Sequence, residues 1–113
     1  MKIISKPISL EEVSRLAKNR FGDMVKAVVD VEKRIMAVDA ELHADEEALL
    51  LENGSRQRAL WGINLYPEIK TNDWIEFDSM INLRPSAGNL SRGVKDPAIR
   101  KKIISVVNNL VKK

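Results

Sequence analysis

HADEEALLLENGS, residues 43 to 55, decides the fold. Glu, Ala and Leu are strong helix formers, and Asp45 and Gly54 are suitable residues to start and stop one. The flanking pattern argues for strand. Apolar residues alternate from Met36 through Val38, Ala40, Leu42 and Ala44 to Ala48 and Leu50, a period of two. Asn53-Gly54 is the strongest short hairpin turn, because both residues tolerate positive φ. With that turn Ala48 would pair with Ala59, placing Ala48, Leu50, Ala59, Trp61, Ile63 and Leu65 on one face. The pattern therefore predicts strand across residues 45 to 52.

Working outward, Val25, Ala27, Val29 and Val31 alternate before the charged turn Glu32-Lys33-Arg34, which predicts a β-hairpin with the strand beginning near Met36. WIEFDSMINL, residues 74 to 83, reads as the last strand, with Ile75, Phe77, Ile81 and Leu83 facing the core. Helices enclose this region in sequence. Ser9 and Glu12 form a capping box, with Ile8 and Val13 as its hydrophobic staple, and Leu10, Val13, Leu16, Ala17 and Phe21 share a face that ends at Gly22. Asp96-Pro97 opens a second helix whose stripe is Ile99, Ile103, Val106, Val107, Leu110 and Val111. The expected fold is α+β: an antiparallel β-meander of four to five strands, with the N-terminal and C-terminal helices packed on one face and the other face open to water.

The 113 residues suit a single domain, 1 to 113. No cysteine is present, which excludes disulfides and thiolate metal sites. No stretch approaches the roughly 20 apolar residues of a membrane span and none reads as a signal peptide, so no membrane and a cytoplasmic location are expected. The net charge of +3 is uneven: residues 1 to 83 hold 11 Lys or Arg against 15 Asp or Glu, and residues 84 to 113 hold 8 against 1.

Two clusters carry chemistry. Asp39, Glu41, His43, Asp45 and Glu47 would line the open face of the long second strand, so that Glu41 and Asp45 flank His43. Asn64, Tyr66, Glu76, Asp78, Asn82 and Arg84 would project to the same side. Such a set suits acid-base chemistry or a divalent metal, with Glu41, His43 and Asp45 as the candidates. The same alternation is also what any solvated sheet face requires, and a single His without a partner His is a weak metal pattern, so no metal or cofactor is assigned. The second cluster is RPSAGNLSRGVKDP, residues 84 to 97. Gly88 and Gly93 have Walker-like spacing, but Val94-Lys95-Asp96 stands where Lys and Ser or Thr are needed, so this is not a P-loop. Asp96 at the cap and Pro97 without an N–H also disfavour an anion at the helix tip. Arg84, Ser86, Asn89, Ser91 and Arg92 remain as a polar, arginine-lined candidate for an anionic small molecule or acidic partner.

The stretches ELHADEEALLLENGS, LWGINLYPE, FDSMINLRPSAGN and SRGVKDPAIR resemble a family of small bacterial and archaeal proteins catalogued as a domain of unknown function, over Ile4 to Val111. That resemblance implies a stand-alone microbial domain and carries no activity, cofactor or catalytic residue. The leading expectation is a non-enzymatic binding or interaction module that uses the Arg84 to Lys95 loop. The alternatives are a small enzyme or metal-binding protein using Glu41, His43 and Asp45, and nucleic-acid binding by the basic C-terminal segment.

Overall fold

The computed structural model describes all residues from Met1 to Lys113. Its centre is a five-stranded antiparallel sheet of order β1-β4-β3-β5-β6, built from β1 (Lys2–Ile4), β3 (Val25–Asp30), β4 (Ile35–Val38), β5 (Leu60–Leu65) and β6 (Ile75–Glu76). Two short strands, β2 (Ile8–Ser9) and β7 (Val111–Lys112), pair in parallel and tie the start of α1 (Leu10–Arg20) to the end of α3 (Pro97–Leu110). The fold is thus α+β around an antiparallel sheet.

Both terminal helices begin where their caps place them. Ser9 Oγ accepts the Glu12 N–H at 3.1 Å, and Asp96 Oδ1 accepts that of Ala98 at 2.8 Å. Their apolar stripes meet Val25, Ala27, Val29, Met36, Val38, Trp61, Ile63 and Leu65 in the main core, as the alternation requires. Val111 leaves the helix and supplies a strand residue instead. The β3–β4 hairpin pairs Asp30 with Ile35. The buried Asp30 carboxylate closes the turn by accepting the N–H groups of Glu32 and Lys33.

Residues 45 to 52 are not strand. They belong to helix α2 (His43–Glu52), and the second strand stops at Val38, because Asp39 takes a positive φ of 69° and turns the chain off the sheet. Asn53-Gly54 is used, but as a helix stop. Gly54 has φ 93°, and its N–H and that of Ser55 return to the Leu51 and Leu50 carbonyls. The left-handed preference that makes Asn-Gly a hairpin turn serves equally to end a helix. The misleading alternation arises because α2 buries His43, Glu46 and Leu50. These lie three and four residues apart, as a helical face demands, but two are polar, so no apolar stripe is visible.

The consequence is a second layer. Helix α2 crosses between β4 and β5, which run parallel to each other on either side of β3. It covers the sheet face expected to be solvated. At its C-terminal end Leu50 packs with Val28, Ala37 and Leu60, all fully buried. Burial of Leu50, Leu60 and Val28 contributes about 1.5–3 kcal/mol each.

The last strand is also shorter than the pattern predicts. Only Ile75 and Glu76 pair with β5; a 3-10 turn, Met80–Asn82, then takes over. Beyond β6 the edge of β5 is closed at Gly62 by a side chain. Asn82 Oδ1 accepts the Gly62 N–H at 2.8 Å, and Asn82 Nδ2 donates to the Gly62 carbonyl at 2.9 Å, so the amide stands in for a strand residue. Replacing Asn82 by Ala leaves a buried donor and a buried acceptor unpaired, and should cost about 3 kcal/mol in urea unfolding; a loss below about 1 kcal/mol would show that the edge is closed by other means.

Candidate functional site

Over the other end of the second layer the chemistry differs. His43 and Glu46, from the first turn of α2, lie above a polar part of the sheet formed by Lys26 on β3 and Asn64 on β5, which are register partners. The segment after β6 closes the side. Asn64 Nδ2 donates to Glu76 at 2.9 Å and to the Asp78 carbonyl at 3.2 Å, and Tyr66 Oη lies 3.1 Å from the same Glu76 carboxylate. Between these elements is a hollow of about 170 Å³ lined by Lys26, Leu42, His43, Ala44, Ser79, Met80, Ile81 and Arg92.

Several features give this hollow a positive character. Leu42 occupies the N-cap position of α2 and gives no side-chain cap; the Asp45 N–H donates to the Leu42 carbonyl, which leaves the N–H groups of His43 and Ala44, at the positive end of the helix dipole, without a protein acceptor. Lys26 brings a cation from the sheet without a carboxylate partner. Arg92 brings another from the loop, held at 2.6 Å by Asp78. Ser79 is fully buried, its Oγ accepting the Ile81 N–H at 3.3 Å. His43 is 9 % exposed, and its Nε2 lies 2.8 Å from the Ile63 carbonyl oxygen. Burial holds the imidazole below its ordinary pKa of 6.5; the Ile63 bond opposes this, Lys26 adds to it and Asp78 opposes it. Its neutral form therefore contributes stability above pH 6.5 that is lost as pH falls.

Glu46 is the titratable group that the strand reading passed over. It is fully buried; Oε2 accepts the Ala40 N–H at 3.2 Å and Oε1 has no partner. Burial pushes its pKa up to about 9, against the Ala40 bond and Lys26, so the carboxyl is neutral beside the site at neutral pH.

The expected catalytic trio is not assembled. With α2 in place of a strand, Glu41 and Asp45 point away from His43 into a separate, open hollow of about 470 Å³, shared with Arg20, Asp39 and Glu52. Arg20 lies 3.2 Å from Asp39 and 3.7 Å from Glu41. The carboxyl on His43's face is Glu46, one helical turn away. No group of three or more His, Cys, Asp or Glu side chains is placed to hold a metal ion.

Nor does one pocket gather Arg84, Ser86, Asn89, Ser91 and Arg92. Arg84 turns inward, donates to the Leu60 carbonyl, sits 3.7 Å from Glu47 and stacks 4.7 Å from the Trp61 ring centre. Asn89 is buried and fully used. Its Nδ2 donates to the carbonyls of Asn82, Ser91 and Gly93, and its Oδ1 accepts the Lys95 N–H. Ser91 Oγ accepts the Gly93 N–H at 3.2 Å, and Ser86 is exposed. Ala87, Gly88, Asn89 and Lys95 border a hollow of about 270 Å³ with Arg58 and Trp61, but the Asp96 carboxylate lines it too. Arg92 alone faces the His43 hollow. Arg100, Lys101 and Lys102 of the basic segment are exposed on α3, and no helix is long and apolar enough to cross a membrane.

The structure thus brings together one residue from each expected cluster, His43 and Arg92, with Lys26 and Ser79, which the sequence reading did not single out. Two features of the sequence point to the site in retrospect: a leucine where a helix needs a polar cap, and a glutamate three residues after the only histidine.

Two variants probe this geometry. A Cβ on Gly62 would lie 2.5 Å from Ser79 Cβ and Oγ and 3.2 Å from His43 Cδ2. Gly62→Ala should cost at least about 2 kcal/mol and displace the His43 ring resonances; unchanged stability would show that the layers separate freely. For Glu46, the folded state keeps a proton that the unfolded state releases between pH 4.5 and about 9. Stability relative to Glu46→Gln should therefore fall as pH rises through that window, by at most about 1.4 kcal/mol per unit. A pH-independent difference in urea midpoints would mean that the carboxyl is ionised in the fold.

Comparison with curated proteins yields no match, and comparison with solved structures yields none either. A family model described as a protein of unknown function, DUF5674, matches residues 2 to 110. Nearly the whole chain, with every element that lines the His43 hollow, lies inside that match, and the protein belongs to the DUF5674 family.

Proposed function

We propose that this protein is a non-enzymatic binding module that holds a small oxyanion, a phosphate or carboxylate group, between the first turn of α2, Lys26 and Arg92. The observation that carries this reading is the start of α2, where a leucine stands at the N-cap without a side-chain cap and Leu42, His43 and Ala44 line a hollow together with Lys26 and Arg92. Helix N-termini bind anions through their first N–H groups and the helix dipole, and charged side chains add charge-assisted hydrogen bonds. The Arg84 to Lys95 loop enters the reading through Arg92, while Arg84 and Asn89 hold the loop's shape. Asp78 tempers the site, because it pairs with Arg92 at 2.6 Å. Within this reading the domain works in the cytoplasm of a bacterium or archaeon, the setting implied by the resemblance of its sequence.

Calorimetric titration with inorganic phosphate and with citrate tests the proposal. Lys26→Met and Arg92→Ala should each weaken binding about ten- to a hundredfold, the loss of one charge-assisted bond of about 1.5–3 kcal/mol. Asp78→Asn should strengthen binding by freeing Arg92, and added salt should weaken it throughout. Equal affinity in the wild type and both cation variants would sink the reading.

A further inference from the structure

Half of the eight residues that line the His43 hollow are apolar: Leu42, Ala44, Met80 and Ile81. Leu42 and Met80 are 55 % and 61 % exposed, among the most exposed large apolar side chains of the chain, and they come from different elements, the start of α2 and the 3-10 turn Met80–Asn82. Leu42 serves the fold in neither of the ways its position allows. It gives α2 no side-chain cap where Ser, Thr, Asp or Asn would, and it buries little of its own surface. Met80 likewise stands in solvent, while Asn82, two residues on, is fully buried. Phe21, also exposed, extends the patch, because its ring centre is 5.3 Å from Lys26 Nζ and Lys26 lines the same hollow. Exposed apolar side chains scattered singly need no explanation, but these are gathered around one lysine at one hollow, where they offer a surface to an apolar group.

We infer that the ligand of this site is a small monocarboxylate bearing an apolar group, its carboxylate meeting Lys26 and Arg92 and its hydrocarbon part lying against Leu42, Met80 and Ile81. The inference rests on the anion-binding reading above and adds to it the chemical class of the ligand. Charge selects the carboxylate. Asp78, 2.6 Å from Arg92, offsets one of the two cations, and Lys26 has no carboxylate partner, which leaves one net positive charge. The other two titratable groups at this end of α2 add no charge at neutral pH: burial holds the His43 imidazole below 6.5 and pushes the Glu46 carboxyl up to about 9. One positive charge matches a carboxylate and leaves a phosphate group, with its charge of about −1.5 to −2, only partly compensated. Size selects the apolar group. The hollow of about 170 Å³ is several times the ~30 Å³ share of one water, so a bare oxyanion held by the cations would leave the apolar lining wet. Each methylene that moves from water onto that lining adds about fourfold to affinity. Met80, unbranched and flexible, can fit itself to the chain it receives.

The experiment titrates the intact 15N-labelled chain with phosphate, acetate, hexanoate and N-acetylleucine at neutral pH and matched ionic strength, following the amide signals of Lys26, His43 and Ser79. Hexanoate or N-acetylleucine should bind at least about tenfold more tightly than acetate, against about two-hundredfold for complete burial of the four added methylenes of hexanoate. The tighter of the two shows whether the apolar group belongs to an acyl acid or to the C-terminus of a peptide. Leu42→Ala and Met80→Ala should each lower the ratio to acetate at least about threefold. Both side chains are exposed, so neither variant opens a cavity in the core. Arg92→Ala should weaken acetate and hexanoate alike. If phosphate and acetate bind but neither apolar acid binds more tightly than acetate, or if the ratio is unmoved in both alanine variants, this inference is overturned while the oxyanion site stands. Binding of none of the four ligands would remove both.

Discussion

Over Gly62 two separate pieces of the chain converge on a point where no side chain stands. The Asn82 amide pairs with its N–H and carbonyl, and Ser79 and His43 of α2 both close over the place where a side chain would stand. A glycine in mid-strand weakens a sheet locally but allows close approach. Here that approach lets the helix and the loop after β6 lie on the same patch of sheet. The hollow lies where these two elements meet over the sheet, with Lys26 and Arg92 in its lining.

The second layer is divided along α2. Toward its C-terminus the helix is held by Leu50 against Val28, Ala37 and Leu60, a small apolar cluster independent of the main core. Toward its N-terminus it is held by polar contacts, Glu46 with Ala40 and His43 with Ile63, which stabilise less than they would cost if broken. Two of the four buried polar atoms that lack partners, Glu46 Oε1 and Asn64 Oδ1, lie at this end; the others, Glu47 Oε2 and Arg84 Nη1, belong to the Arg84–Glu47 pair. A domain with a well-packed terminal-helix layer on one face can tolerate this strain on the other, and local violations of good packing practice are where function is expected.

Legibility in the sequence followed how local the determining interaction was. The capping residues Ser9 and Asp96, the hairpin from Val25 and the inward set Trp61, Ile63 and Leu65 were readable, because each is decided by neighbours within a turn or by strict alternation. Helix α2 was not. Its buried stripe of His43, Glu46 and Leu50 becomes a stripe only against a sheet whose polar end receives the imidazole and carboxyl. Residues 77 to 83 failed for a related reason: their alternation is that of a strand, but Asn82 replaces the strand's backbone pairing with a side-chain amide. Among candidate residues, His43 and Arg92 were identified, yet from different clusters and for different reasons. Lys26 had no local mark at all, since a lysine on a strand is ordinarily a solvated one.

The sequence by itself determined the class of the fold, the two terminal helices and the strands of the central hairpin, because propensity, capping and apolar period act over a few residues. Tertiary structure alone decided that the second sheet face is covered, that Glu46 is neutral and buried beside His43 while Glu41 and Asp45 remain outside, and that a loop arginine and a strand lysine meet at an uncapped helix. Those outcomes depend on contacts between residues 20 or more positions apart, such as His43 with Ile63 and Gly62 with Asn82. The free energy of such contacts is set by burial and by partners the chain reaches only once it is folded.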